Sequence, residues 1–302
     1  MPGAVAGPDR SGWVCTVGEL PRRIYGGDMD NRGLTLMAVH AHPDDEATST
    51  GGVLARYAAE GVTTVVVTCT DGRCGDGLEG AKPGDAGHDP EAVAAMRRRE
   101  LEAACAVLKV THLETLGYHD SGMMGWATNT APGAFWTVPV ADAAQRLAEL
   151  IRRYRPDVVI TYDENGGYGH PDHIQTHRVT MAAVELAGHP AKVYWSTVPE
   201  SWMHDVAALL RDAGVEWDEA EVAELPPMGL PADQISTWID TTGVSAQKYD
   251  ALAAHASQGD GALFLGLGKE RFARLMGTET FVRVLDTTGA PTPEDDLLAG
   301  LR

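Results

Sequence analysis

Basic residues are scarce in this chain, cysteines are few, and no long apolar run occurs. Lys and Arg number 24 against 43 Asp and Glu, so the 302-residue sequence carries a formal charge of −19. A chain this acidic repels phosphate backbones and anionic lipid surfaces, which argues against nucleic acid and membrane as general partners. The apolar stretch from Val62 to Cys69 is far too short to span a bilayer. The four cysteines, Cys15, Cys69, Cys74 and Cys105, are irregularly spaced with no C-x-x-C pair. A reduced, cytoplasmic chain follows, with Cys69 and Cys105 as small buried thiols. Residues 1–32 lack the basic and apolar segments of a signal peptide. The sequence also lacks internal repeats and low-complexity tracts. The glycines of Gly166-Gly167-Tyr168-Gly169 miss the G-x-G-x-x-G intervals of a dinucleotide loop.

What is present is ordinary globular material, 44% hydrophobic and 22% charged, long enough for one large α/β domain or two modest ones. Residues 1–33, rich in Gly, Pro, Arg and Asp, read as a flexible leader, with Met29 as an alternative start of translation. From Leu34 the pattern alternates strand and helix. Apolar or β-branched runs at 34–40, 62–69, 112–116, 157–162 and 192–195 read as strands. Helical spacing occupies 51–60, 91–108, 141–154 and 171–187. Alternation of this kind implies parallel strands joined by right-handed crossovers. The expected fold is therefore α/β and doubly wound, a mostly parallel sheet of order 3-2-1-4-5 with helices on both faces. Residues 34–200 form the Rossmann-like core, and 201–302 a smaller, irregular C-terminal part that caps the substrate pocket. In that part 201–210 and 243–255 read as helices and 281–285 as a late strand.

Two segments carry the chemistry: Ala41-His42-Pro43-Asp44-Asp45-Glu46 after the first strand, and Tyr162 to His173 after the fourth. In a 3-2-1-4-5 sheet these strands are neighbours, so both segments emerge at the carboxyl edge beside the switch point where such folds bind ligands. Alone, each has a plain reading, as an acidic first helical turn or an ordinary N1 proline. Together, imidazoles and carboxylates at two adjoining strand ends form a metal-site pattern suited to Zn²⁺ or a similar divalent ion. His42, Asp45 and His173 are the natural ligand trio. Asp44 is then a spare carboxylate for general-base work on water. His170, as an imidazolium, would stabilise an oxyanion and protonate a leaving amine. Cys74 has no recognisable partner and reads as a plain loop cysteine, and His177 as a packing residue. His255 and Gln258 read equally as site residues or helix surface. Trp13, Trp195, Trp202 and Trp238 read as core or interface.

The pair AHPDDE (41–46) and GYGHPDH (167–173) resembles the PIG-L/LmbE-like zinc N-deacetylases, which remove acyl groups from amino sugars and related amides. The resemblance runs from Leu34 to about residue 200, with a weaker echo at 251–258. It implies His42, Asp45 and His173 as metal ligands and Asp44 as the base. It places His170 where the tetrahedral intermediate is stabilised, Tyr168 where the carbonyl is polarised, and Asp172 where it orients His170. Arg97 and Asp120 match sugar- and inositol-binding positions, with a surface Arg and a turn Asp as the plain alternatives.

Within the family the chain is most similar to the mycothiol-pathway enzymes, the N-acetylglucosaminyl-inositol deacetylases and the S-conjugate amidases. Gly169 before His170 matches the deacetylase pattern, whereas the amidase pattern has proline there. The segment from Met123 to Trp136 matches neither. The expected function is hydrolysis of an N-acetyl amide on a glucosamine-containing small molecule. One Zn²⁺ per chain is expected, with Fe²⁺ as the alternative in vivo. An S-conjugate amidase, an antibiotic-pathway deacetylase and a non-catalytic metal- and sugar-binding protein remain as rivals. The sequence leaves a homo-oligomer open.

Overall fold

The structure, a computed structural model, describes residues 33–188, 190–214 and 228–302. The leader and Met29 lie outside the described residues, Gly33 excepted, as does Trp13. Three buried strands form the interior of the parallel part of the sheet: β1 Thr35–His40, β2 Thr63–Thr70 and β4 Val158–Tyr162. Helices cover both their faces, which is why these runs are apolar almost throughout rather than alternating. With β3 His112–Tyr118 at one edge and β5 Lys192–Thr197 beyond β4, the parallel order is β3-β2-β1-β4-β5, as expected. Successive β1 residues point to opposite faces. Leu36 and Ala38 join one core cluster, and Met37 and Val39 the other.

The C-terminal part extends the same sheet. Strand β7 Thr278–Asp286 runs antiparallel beside β5, and the short β6 Thr237–Asp240 runs antiparallel beside β7. The late strand expected at 281–285 lies within β7.

Helices α1 Asp45–Ser49 and α2 Gly51–Ala59 follow β1, and α3 Pro90–Leu108 follows β2. The α3 start is set by its sequence: the Asp89 side chain accepts from the Glu91 and Ala92 amides, and Pro90 occupies the first turn, where it forfeits no bond. Helix α4 Val140–Tyr154 packs its Ala143, Leu147 and Ile151 stripe under the sheet and against α6 Pro171–Ala187. Between β4 and α6 lies the single turn α5 Gly166–Gly169. The remaining α-helices among the described residues are α7 Trp202–Asp212, α8 Ser245–Ala254, α9 Gly259–Gly266 and α10 Gly268–Met276. Helix α8 packs on α3 and α2. Glu279 of β7 ties the C-terminal part to the front of α2, accepting from the Gly52 amide at 2.7 Å and the Val53 amide at 2.8 Å. No helix among the described residues is long and apolar enough to cross a membrane.

Ala38 of β1 pairs with Ile160 of β4. The chain leaves both strands at the same edge, so 41–46 and 163–173 meet in one crevice.

Candidate active site

The turn after β1 is built by its own polar residues. The His42 amide donates to Asp45 Oδ2 at 2.8 Å, and the Ala41 amide donates to the Tyr162 hydroxyl at 2.9 Å, which fastens the end of β4 to this turn. Asp44 caps α1 with φ 118° and ψ −28°, a conformation that costs a residue with a Cβ about 1–3 kcal/mol. On the other side, Gly166 adopts φ +65°, and a Cβ there would stand 2.6 Å from that of His173. Only glycine lets the turn pass so close. The Gly166 carbonyl lies 3.2 Å from His173 Nδ1 and fixes that ring.

These turns bring the expected ligand trio together. His173 Nε2 lies 3.2 Å from His42 Nδ1, Asp45 Oδ2 lies 3.5 Å from His42 Nδ1, and Asp45 Oδ1 lies 3.6 Å from His173 Nε2. Ligand atoms bound tetrahedrally at about 2.0–2.1 Å stand about 3.3 Å apart, so the spacing suits a zinc-sized ion. His42, His170 and His173 converge as well, as do His42, Asp120 and Asp172.

The electrostatics agree with that fit. Burial pushes Asp45 up, but His173 and His42 outweigh it and hold the carboxyl well below its usual range. Burial brings His173 down to about 4, leaving a neutral imidazole able to ligate. His42 loses charge to burial but is held well above the usual imidazole range by Asp120, Asp172 and Asp45. This surplus of buried carboxylate draws in positive charge, and Asp172 Oδ1 is buried without a hydrogen-bond partner. The donor set therefore fits a divalent cation.

Asp44 sits beside this cluster. Burial raises it to about 6 against the pull of Arg97, a value suited to a general base near neutrality. Arg97, expected on the resemblance to meet the sugar, is buried; it donates to Asp44 Oδ2 at 2.8 Å and to the Gly72 carbonyl at 2.7 Å. Asp120 is buried too, accepts from the Gly122 amide at 2.8 Å and lies 3.5 Å from His42 Nε2.

Two roles differ from expectation in their geometry. Asp172 does not direct its carboxylate at His170. Its Oδ2 lies 3.2 Å from His42 Nε2 and accepts from the Ser121 amide at 2.8 Å, while its own amide donates to His170 Nδ1 at 3.1 Å. His170 is therefore oriented through backbone. Burial, with His42 and His173 close by, lowers His170 to about 2, which works against the imidazolium form. With Nδ1 accepting, the proton resides on Nε2, and the ring is a neutral donor. Tyr168 stands edge-on to His173, ring centres 5.0 Å apart, on the cavity wall.

Tyr162, which carries no expected role, stacks its ring on His173 with centres 4.2 Å apart. An aromatic residue ending the strand that delivers the second motif is the signal that could have found it. Glu46 stood within the first motif without a role, and His255 with an undecided one; the two pair at 2.7 Å in the interior. His177 packs against Trp195, and the Cys74 thiol is pushed by burial to about 12, a poor nucleophile. A cavity of about 1010 Å³ opens over the cluster, its far wall apolar with Trp202, Val206, Phe264 and Met276.

Residues 37–184 match the PIG-L family, GlcNAc-PI de-N-acetylase. A 1D-myo-inositol 2-acetamido-2-deoxy-alpha-D-glucopyranoside deacetylase of Salinispora arenicola is 44% identical over 285 residues, covering 88% of this chain and 91% of that one. The chain belongs to the PIG-L family. Among solved structures, an N,N'-diacetylchitobiose deacetylase from Pyrococcus horikoshii superposes with TM-score 0.52 at 20% identity, over 87% of this chain and 89% of that one. A 4-carboxy-2-hydroxymuconate hydratase from Pseudomonas putida superposes with TM-score 0.56 at 19% identity, over 85% and 99%. A deacetylase and a hydratase thus share the fold, and it is the site of this PIG-L member that must decide its chemistry.

Proposed function

We propose that this PIG-L member hydrolyses the N-acetyl amide of an N-acetylglucosaminyl-inositol, releasing acetate and a free amine in the cytoplasm. The observation that carries the reading is Asp44, a spare carboxylate held at 2.8 Å by Arg97 in the turn that also presents His42 and Asp45 to His173; burial raises its pKa to about 6. A divalent ion held by that trio, zinc or iron(II), would supply Lewis acidity to the water and to the amide carbonyl. Asp44 takes the proton of the attacking water. Tyr168 and the Nε2–H of His170 donate to the oxygen on which negative charge develops. Asp44, which holds the proton taken from the water, returns it to the departing amine, because a neutral His170 has no proton to give without becoming an imidazolate. Arg97 and Asp120 are assigned to the sugar and inositol, and Arg97 also steadies Asp44. A spare carboxylate at the water speaks against a protein that only binds metal and sugar.

A second reading, cleavage of a bulkier amide such as a mycothiol S-conjugate or an antibiotic glycoside, is favoured by the cavity. Its volume of about 1010 Å³ stands at the top of the roughly 300–1,000 Å³ usual for small-molecule sites. The deciding experiment measures free amine released by zinc-loaded protein from N-acetylglucosaminyl-inositol beside a mycothiol S-conjugate. Preference for the small acetyl sugar supports the first reading. Cleavage of the conjugate alone moves the enzyme to the second, and failure with both rejects each of these substrates.

A further inference from the structure

Asp44 is pinned at three points. Its carbonyl accepts from the Ala47 and Thr48 amides, each at 3.0 Å, at the start of α1. Arg97 holds its carboxylate at 2.8 Å. Its amide donates to Glu46 Oε2 at 3.0 Å. Glu46 is fully buried, and its other oxygen lies 2.7 Å from His255 Nε2, 209 positions along the chain at the end of α8. His255 is 2% exposed, and neither side chain lines the cavity. The neighbours of His255 are anchored separately. The Ser257 amide and hydroxyl donate to Glu100 of α3 at 2.9 and 2.7 Å, and Gln258 Oε1 accepts from the Asp76 amide at 3.2 Å.

A glutamate side chain has several staggered rotamers open to it, and the one adopted here places Oε2 on the Asp44 amide. The hydrogen bond from His255 selects that rotamer, and the charged acceptor then favours the positive φ at Asp44. We infer that Glu46 and His255 are positioning residues which set the backbone, and so the carboxylate direction, of the general base. This inference rests on the deacetylation proposed above. It gives the C-terminal part a share in catalysis through a residue that never meets substrate.

The test uses the metal-loaded full chain carrying His255→Ala or His255→Gln, with kcat, KM, metal content, melting temperature and crystal structures as readouts. Misplacing the base should lower kcat of His255→Ala roughly 10- to 100-fold while KM and metal content hold. His255→Gln, which keeps an N–H donor for Glu46, should recover most of the rate, and the Asp44 φ should leave the positive region in the Ala variant only. A lower melting temperature with unchanged kcat and unchanged Asp44 backbone would overturn the inference, as would a loss of rate that tracks loss of metal. Should His255→Ala not fold, His255→Asn, too short to reach Glu46, is read in the same way. If the unsubstituted protein hydrolyses no acetyl sugar, the reaction reading fails, and the Asp44 φ in the variant crystals still decides the positioning claim.

Discussion

Asp44 shows how a single residue can join strain, electrostatics and chemistry. Its carboxyl is raised to about 6, burial outweighing the attraction of Arg97. The ionised form is the base, so kcat/KM should rise with pH to a plateau, its acid limb lying near pH 6 or, with the cation bound, below it. An acid limb above pH 7 would contradict the assignment. Asp44→Ala should cost about 10²- to 10⁴-fold in kcat with metal content unchanged, checked by turnover beside elemental analysis. Arg97→Met removes the charge that favours ionised Asp44, so it should shift the acid limb to higher pH. A change in KM alone would make Arg97 purely a sugar contact. At this scale the sequence was legible where residues are contiguous: His42, Asp44 and Asp45 in one motif, His170 and His173 in the other. Side-chain geometry was not. Whether Asp172 aims its carboxylate at His170 or at His42 depends on a rotamer, and the Glu46–His255 pair spans 209 positions, a distance at which spacing carries no signal.

The turn between β4 and α6 matters more than its four-residue helix suggests. Gly166 packs where a Cβ would meet His173 Cβ at 2.6 Å and the Ile174 amide at 2.7 Å, and its φ is +65°. Gly166→Ala should therefore push α6 and His173 away from His42, weakening metal binding and costing about 1–3 kcal/mol of stability. Isothermal titration with zinc and urea unfolding would measure both, and unchanged zinc affinity would show that the turn does not set the ligand geometry. Elements of the parallel core could be read because burial on both faces writes a continuous apolar run, as in Leu36 to Val39 or Val65 to Val67. Strand β6 could not. It has four residues, Thr237–Asp240, one of them exposed, and it is held by pairing with β7 on one side and by a bridge to Glu294 on the other.

Across the whole molecule, the pairing of β5, β7 and β6 is reinforced at the end of the sheet opposite the catalytic crevice by one buried carboxylate. Glu294 accepts from Lys192 at 2.5 Å, Arg283 at 2.8 Å, the Tyr194 hydroxyl at 2.8 Å and Thr237 at 3.2 Å. Lys192 and Tyr194 belong to β5, Arg283 to β7 and Thr237 to β6, so a single side chain clasps three strands. Lys192 is fully buried, and without Glu294 its ammonium would keep the Ala299 carbonyl, at 2.9 Å, and the face of the Tyr194 ring, 5.6 Å from its centre, with no opposite charge in contact. Breaking a buried ion pair from one side leaves a charge uncompensated in the interior, a loss of about 3–5 kcal/mol. Glu294→Ala should lower the urea midpoint accordingly while kcat, measured where the variant is still folded, stays unchanged, because Lys192 begins β5 and the crevice lies beyond the far ends of the strands. Replacing Lys192 and Glu294 together by Met and Leu should restore much of the loss, since the desolvation cost of both charges disappears with them. A double variant no more stable than Glu294→Ala would mean that the clasp works through Arg283 and Tyr194 rather than through the buried ammonium.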